Sequence, residues 1–381
     1  MSDSQTATRI LVADDQADVL EALRFLLLGT GLEGDFVTSP AAVMERLSSR
    51  QYEALLIDLN YATDTTSGQE GLALLTRVRE ADPMLPVVVM TGWATIDTAV
   101  EAMRRGARSL VQKPWDNTTL LGILEREIED ARAARQLDAR RQRDDDDARL
   151  IQRSLLPVTP PRVGPYQLAA AWRPASGYGG DCYDVIPFKG ALGLSIADVA
   201  GKGLPAALLM SNLQAAIRAF VHDDTPPAAV CTNVNRLLCG HMISGRFVTC
   251  CYLRFDLERR ELAYANAGHN PPLLVRASGE VERLTTGGVI LGVFPESAYQ
   301  EQTVALAEGD RLILYTDGIT EAMSGQGEEY GEDRLVALAR GNGHASAQSL
   351  NDALFGDVLA FAGHTLQDDA TLITVSVGGL G

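Results

Sequence analysis

The sequence predicts a multidomain protein: an α/β unit with a doubly wound parallel sheet, a helical connector, and an α+β unit layered as an α-β-β-α sandwich. Three observations lead there. The first third alternates short apolar runs with amphipathic stretches of helical length. The stretch 118–155 is dense in Leu, Ala, Arg, Glu and Asp and holds one glycine, Gly122. The remainder is rich in strand-like segments joined by tight polar turns, with a few helices between them.

Taken in order, "RILVAD" is a short buried strand, followed by a helix over 17–28 that Gly29 and Gly31 punctuate. A weaker strand is expected at 35–38 and a helix at 40–48. "ALLID" is the next buried strand, followed by a helix over 71–81. "PVVVMTG" is another strand, then a helix over 96–105, and "SLVQK" closes the series before Pro114. Such alternation places helices on both faces of a parallel sheet.

Composition limits the function classes. The chain has 381 residues, 46% hydrophobic and 22% charged, enough for real cores in two or three domains. A formal net charge of −17 argues against a nucleic-acid-binding output, which needs a basic face. Five cysteines (Cys182, Cys231, Cys239, Cys250, Cys251) form no C-x-x-C pair and read as reduced, mostly buried thiols. No run of about 18 apolar residues occurs, and "MSDSQTATR" has no apolar signal core. A cytoplasmic protein with no membrane partner is expected.

In open parallel sheets the functional groups lie at the carboxyl ends of the strands. Those ends carry Asp14 and Asp15, Asp58, Thr91, and Lys113 before Pro114. Carboxylates gathered there would repel, so a hard cation such as Mg2+ is the natural additional party. A lysine and a hydroxyl facing the same point can hold a transferred phosphoryl group.

With "ILVADD", "LLIDL", "VVVMTGW" and "VQKPW", residues 8–125 resemble the receiver domain of a bacterial two-component response regulator. The resemblance implies Asp58 as phospho-acceptor, with Asp14, Asp15 and the Asn60 backbone carbonyl holding Mg2+. It implies Thr91 as the switch hydroxyl and Lys113 as the phosphoryl-binding lysine. A sensor histidine kinase or phosphotransfer protein is the implied partner. Two departures stand out. The segment after the acceptor, "NYATDTTSGQEG", is long and lacks the usual proline, and Leu110 stands where receivers usually carry an aromatic switch residue.

The connector is expected over 118–156. Leu121, Leu124, Ile128 and Ala131 follow the 3-4-3 spacing of a coiled-coil seam, so a homodimer through this helix is one expectation and a solvated charged helix the other. The run 144–147 is four aspartates, which repel along a helix; Arg140, Arg141, Arg143 and Arg149 offset them. "PVTPPRVGP" ends the helix.

In the second half, "YQLAAAWRPA", "YDVIPF" and "LGLSIADV" read as strands. "RFVTCCYLRFD" with "ELAYANAG", and "PPLLVRA" with "VERLTT", read as hairpins, and "DRLILYTDG" and "ATLITVSV" as late strands. Helices are expected at 204–221, 227–241, 333–338 and within 346–362. Asp181, Asp198, Asp317, Asp368 and Asp369 sit at strand ends beside glycine or small residues, and Asp184 lies close to Asp181. An oxygen-rich, sulfur-free set of this kind suits Mg2+ or Mn2+ rather than zinc. His269 in "NAGHNPP" reads as structural rather than as a ligand.

The motifs "ARLIQRSLLP", "GGDCYD", "ADVAGKGLPAALLM", "FVTCCY", "YANAGHNPPLL", "GGVILGVFP", "LYTDGITEA" and "DDATL" resemble the metal-dependent protein phosphatase 2C family, in its bacterial partner-switching branch of serine phosphatases. The match covers roughly 148–378, and the phosphatase domain itself is expected over 157–378. The resemblance implies two Mn2+ or Mg2+ ions held by Asp181, Asp198, Asp317, Asp368 and the Val199 carbonyl, with Asp184 and Asp369 as secondary candidates. It implies a phosphorylated protein substrate of the anti-sigma-antagonist type. "GGDCYD" superficially resembles the signature turn of diguanylate cyclases, but Cys182 and the antiparallel pattern speak against that. "GKG" at 201–203 lacks the spacing of a phosphate-binding loop. Two functions follow: a phosphorylation-controlled phosphatase, or a phosphorylation-controlled adaptor with an inactive phosphatase-like domain. Loss of ligands would mark the adaptor, and all four expected positions are acidic.

Overall fold

The computed structural model describes residues 8–61, 68–92, 96–157, 163–242, 245–342 and 345–378. The chain divides into two compact units, Met1–Asp144 and Asp145–Gly381.

The first unit carries β1 (Thr8–Ala13), α1 (Ala17–Leu27), β2 (Leu32–Val37), α2 (Pro40–Ser49), β3 (Ala54–Asp58), α3 (Gln69–Ala81), β4 (Val87–Thr91), α4 (Ile96–Arg104) and β5 (Ser109–Gln112). The sheet is parallel throughout, in the order β2-β1-β3-β4-β5. Its central strands are apolar on both faces because both faces are covered. Leu11, Leu55, Ile57, Val87 and Val89 belong to one core, and Ile10, Val12, Leu56, Val88 and Met90 to the other. α2 begins where Ser39 Oγ accepts the Ala42 N–H and Pro40 presets the first turn. β2 starts three residues before the expected 35–38. Of the segment after Asp58, residues 62–67 lie outside the described residues.

The connector is one helix, α5 (Asn117–Leu155), of 39 residues. The expected dimer seam is corrected here. Leu124 is fully buried and Ile128 is 2% exposed, and together with Leu120 they pack on Ile10, Val12 and Val88 of the unit's own sheet. Ala131 is buried as well, and Leu121 packs partly against the same core. A helix covering a sheet needs the same 3-4 apolar spacing as a helix pairing with a copy of itself. Burying each such leucine contributes about 1.5–3 kcal/mol to the unit itself. Further along, the aspartate run is tolerated because Tyr178 donates to Asp145 and Arg149 pairs with Asp146 at 3.3 Å.

The second unit carries β6 (Tyr166–Arg173), β7 (Cys182–Phe188), β8 (Ala191–Val199), α6 (Leu204–Phe220), α7 (Pro227–Cys239), β9 (Val248–Asp256), β10 (Glu261–Ala267), β11 (Leu273–Val275), β12 (Val281–Arg283), β13 (Gly287–Gly288), β14 (Gln302–Ala305), β15 (Arg311–Tyr315), α8 (Asp317–Thr320), α9 (Glu332–Gly341), α10 (Ala347–Phe361) and β16 (Ala370–Val377). One sheet runs β13-β10-β9-β8-β7, with β14 on β10, and the other β12-β11-β15-β16-β6. Leu192, Leu194 and Phe255 of the first sheet share a core with Tyr166, Leu314 and Ile373 of the second. Val230 and Val234 of α7 and Met210 and Leu213 of α6 pack on the first sheet. α9 and α10 cover the second through Leu335, Leu350 and Leu354. The architecture is therefore α-β-β-α, with the predicted acids at one set of strand ends. Four cysteines are buried and Cys239 half-buried, all free thiols. Among the described residues no helix is long and apolar enough to cross a membrane.

Candidate functional site

In the first unit β1, β3, β4 and β5 end together. Asp14 follows β1, Asp58 ends β3, Thr91 ends β4 and Lys113 follows β5. Lys113 Nζ donates to Asp14 Oδ2 at 2.6 Å and to Asp58 Oδ2 at 2.9 Å. Asp14 Oδ1 also accepts the Gln16 N–H. Burial pushes the Asp14 carboxyl up, against the lowering by Lys113. Burial opposes the Lys113 charge, but its bonds to Asp14 and Asp58 prevail and its pKa lies above the ordinary value. The Asp14, Asp15 and Asp58 carboxylates offer ligand atoms within 4.8 Å of one another. Asp15 Oδ1, Asp58 Oδ1 and Thr91 Oγ1 are buried and accept or donate no hydrogen bond. Buried oxygens without partners are costly, and a cation or a phosphoryl group would supply them. A cavity of about 580 Å³ opens on Asp15, Asp58, Asn60, Lys113 and Trp115. Trp93, which ends the "VVVMTGW" stretch, lies outside the described residues.

In the second unit the acids come from four distant segments. Asp181 precedes β7, Asp198 lies near the end of β8, Asp317 opens α8 after β15, and Asp368 and Asp369 precede β16. Asp181 is 1% exposed, and its Oδ2 accepts from Thr316 Oγ1 and Thr371 Oγ1, each at 2.7 Å. The Thr371 N–H donates in turn to Thr316 Oγ1, tying β15, β16 and the Asp181 segment together. Asp181 Oδ1 is buried without a partner. Burial, and then the charge of Asp198, pushes the Asp181 carboxyl far up. Burial, and then Asp317 and Asp368, pushes Asp198 up to about 7. Asp317 is raised by burial and by Asp368. Acids that depress one another's ionisation in this way are close neighbours.

The glycines of "GGDCYD" and "TDG" have a steric reason. A Cβ on Gly180 would lie 2.8 Å from the Val199 carbonyl oxygen, and one on Gly318 2.0 Å from the Asp369 carbonyl oxygen. The Val199 carbonyl thus faces the Gly180 backbone beside Asp198. Asp369 accepts the Ala175 and Gly180 N–H groups, so it orders the 175–180 loop. Asp368 is half-exposed and pairs with Lys202 Nζ at 3.0 Å, which also donates to the Gln367 carbonyl.

Asp184 is corrected. It is buried, but Arg218 of α6 takes both its oxygens, at 2.5 and 2.8 Å, so it does not join the acidic cluster. Reading the sequence missed Thr316, Thr371 and Lys202. The signal was available, since each adjoins a quoted acid or sits inside a quoted motif. His269 is buried, with Nδ1 2.8 Å from Thr249 Oγ1, and burial lowers it to about 4, so it is neutral near pH 7.

A parallel sheet with an acid-and-lysine site, followed by a four-layer sandwich with an acidic cluster at its strand ends, defines a class: a receiver joined to a metal-dependent phosphatase fold. Residues 10–125 match the response regulator receiver domain family, and 189–378 match the stage II sporulation protein E (SpoIIE) family. The chain joins a response regulator receiver domain to a SpoIIE-type PP2C phosphatase domain. It is 29% identical over 226 residues to phosphoserine phosphatase RsbU of Bacillus subtilis, covering 59% of this chain and 67% of RsbU. The RsbU and RsbW domains of Rv1364c from Mycobacterium tuberculosis superpose with a TM-score of 0.53 at 27% identity, over 60% of this chain and 64% of that one. The PP2C domain of SiaA from Pseudomonas aeruginosa shares the fold, with a TM-score of 0.55 at 23% identity over 62% of this chain and 97% of that one.

Proposed function

We propose that this protein is a response regulator whose output is hydrolysis of phosphoserine or phosphothreonine on a partner protein. Its domains are a receiver over 8–125, a helical connector over 118–156 and a phosphatase domain over 157–378. The single observation that carries the reading is the convergence of Asp181, Asp198, Asp317 and Asp368 from four segments, with Asp181 pushed up by burial and then Asp198, and Asp198 by burial and then Asp317 and Asp368. A cation beside carboxylates raised in this way favours their ionised form. The donor set is all oxygen and fits two Mn2+ or Mg2+, held by Asp181, Asp198, Asp317, Asp368 and the Val199 carbonyl.

When bound, such ions polarise a phosphoryl oxygen and lower the pKa of water. The chain's own residues do the rest. Thr316 and Thr371 fix one oxygen of Asp181 and leave the other free to coordinate. Lys202 aligns Asp368 and offers a positive charge beside it. Water adds to phosphorus, the bond from phosphorus to the seryl oxygen breaks, and serine and inorganic phosphate leave.

In the receiver, Asp58 accepts the phosphoryl group, Lys113 pairs with its charge and Thr91 supplies the hydroxyl that meets it. Asp14, Asp15 and the Asn60 carbonyl hold Mg2+. A sensor histidine kinase or phosphotransfer protein is the donor, and the substrate is a phosphorylated protein of the anti-sigma-antagonist type, as the motifs' resemblance to partner-switching phosphatases implies. The protein works in the cytoplasm. The test is Mn2+-dependent release of phosphate from such a substrate, with and without a small phosphodonor. No release with Mn2+ present, while the substrate is bound, would favour the adaptor.

A further inference from the structure

The last turns of α5 expose Leu150 and Ile151 and bury one polar side chain, Gln152, which is 3% exposed. Its carboxamide spends both polar atoms on one residue. Nε2 donates to the Gly179 carbonyl at 2.5 Å, and Oε1 accepts the Gly179 N–H at 3.1 Å. Asp181 follows two residues on. From the other side, Asp369 accepts the N–H of Gly180 at 2.6 Å and of Ala175 at 2.8 Å. The loop that aims Asp181 is thus gripped between Gln152 and Asp369.

That loop needs gripping. Two consecutive glycines have wide backbone freedom, and no side chain can be added to damp it. A Cβ on Gly179 would meet the Trp172 ring at 3.0 Å, and one on Gly180 the Val199 carbonyl. A leucine at 152 would fill similar volume without reading the loop. A buried amide is tolerated only when its hydrogen bonds are met, and here they are met by one residue in one conformation.

We propose that Gln152 is a positioning residue for the metal-binding carboxylates: it fixes the Gly179 peptide and so the placing of Asp181 and the Val199 carbonyl. The proposal rests on the reading of these groups as metal ligands.

The test uses the full chain. Mn2+ affinity is measured by calorimetry, and kcat and KM with an aryl phosphate. Gln152→Leu weakens Mn2+ binding about tenfold, the worth of one or two hydrogen bonds, and lowers kcat with KM nearly unchanged. Gln152→Glu, similar in size and equally polar, sets a carboxylate against the Gly179 carbonyl and moves both quantities the same way. Gln214→Leu is the control. Gln214 Nε2 donates to the Leu155 carbonyl at the end of the same helix and does not hold the loop, so this variant keeps wild-type Mn2+ affinity. Wild-type affinity and kcat in Gln152→Leu overturn the proposal. So does an equal loss in Gln214→Leu, which would assign the effect to helix docking. Wild-type protein that binds Mn2+ without turnover sinks the phosphatase reading alone, and the calorimetry still decides the role of Gln152. Wild-type protein that binds no Mn2+ at this site sinks both.

Discussion

The two acidic sites of this chain solve the same electrostatic problem differently. In the receiver, Lys113 sits between Asp14 and Asp58 with bonds of 2.6 and 2.9 Å, so a cation from the chain itself offsets the carboxylates. In the phosphatase domain Lys202 is half-exposed and pairs with Asp368, while Asp181 and Asp198 lie deeper and are pushed up, by burial first. On the proposed reading, the first site takes a phosphoryl group beside one cation, and the second takes its positive charge from cations.

If that contrast is right, the largest effect falls on the phosphatase acids. Asp198→Asn and Asp317→Asn each lower Mn2+-dependent hydrolysis by about a thousandfold, since metal polarisation is worth several kcal/mol. Phosphate release by either variant at the wild-type rate would break the comparison. In the receiver, Asp58→Asn abolishes labelling by a small phosphodonor in Mg2+. Intact protein mass spectrometry reads this directly, and a variant that labels as well as wild type refutes Asp58.

A smaller and sharper effect concerns pH. Asp198 is raised from 3.8 to about 7. The folded state then binds the extra proton between those values, so without metal Asp198 favours folding at low pH and that contribution is lost as pH rises towards 7. Mn2+ reverses this. At a hundredfold over its dissociation constant it adds about 2.7 kcal/mol, or roughly 5–10 °C of melting temperature in a domain of this size. The rise is larger at pH 7.5 than at pH 5 in thermal scans; an equal rise at both would detach the metal from these acids. Smallest is Thr316→Val, which removes one of two hydroxyls on Asp181 and costs about 1–3 kcal/mol of stability at that buried oxygen. Chemical denaturation measures it, and no change would mean that Thr371 alone suffices.

The sequence was informative where pattern and chemistry coincide. Apolar runs such as "ILVA" and "VVVM" could only be doubly covered strands, and acids following them had to meet at one edge of the sheet. It failed where one pattern serves two partners. The spacing of Leu124 and Ile128 suits a second helix as well as the receiver's own sheet, and the structure assigns it to the sheet. Asp184 looked like Asp181, because its partner Arg218 lies 34 residues away with nothing local to announce it. Gln152 was hidden in a charged helix, since burial of a single amide leaves no periodic trace.

On the proposed reading the phosphatase acids form a two-cation centre. Calorimetric Mn2+ titration of the full chain tests it most directly, with Asp15→Asn removing the receiver's own cation site. Two Mn2+ per chain are expected, falling when Asp198→Asn or Asp317→Asn is added. An unchanged stoichiometry and affinity in both variants would contradict it.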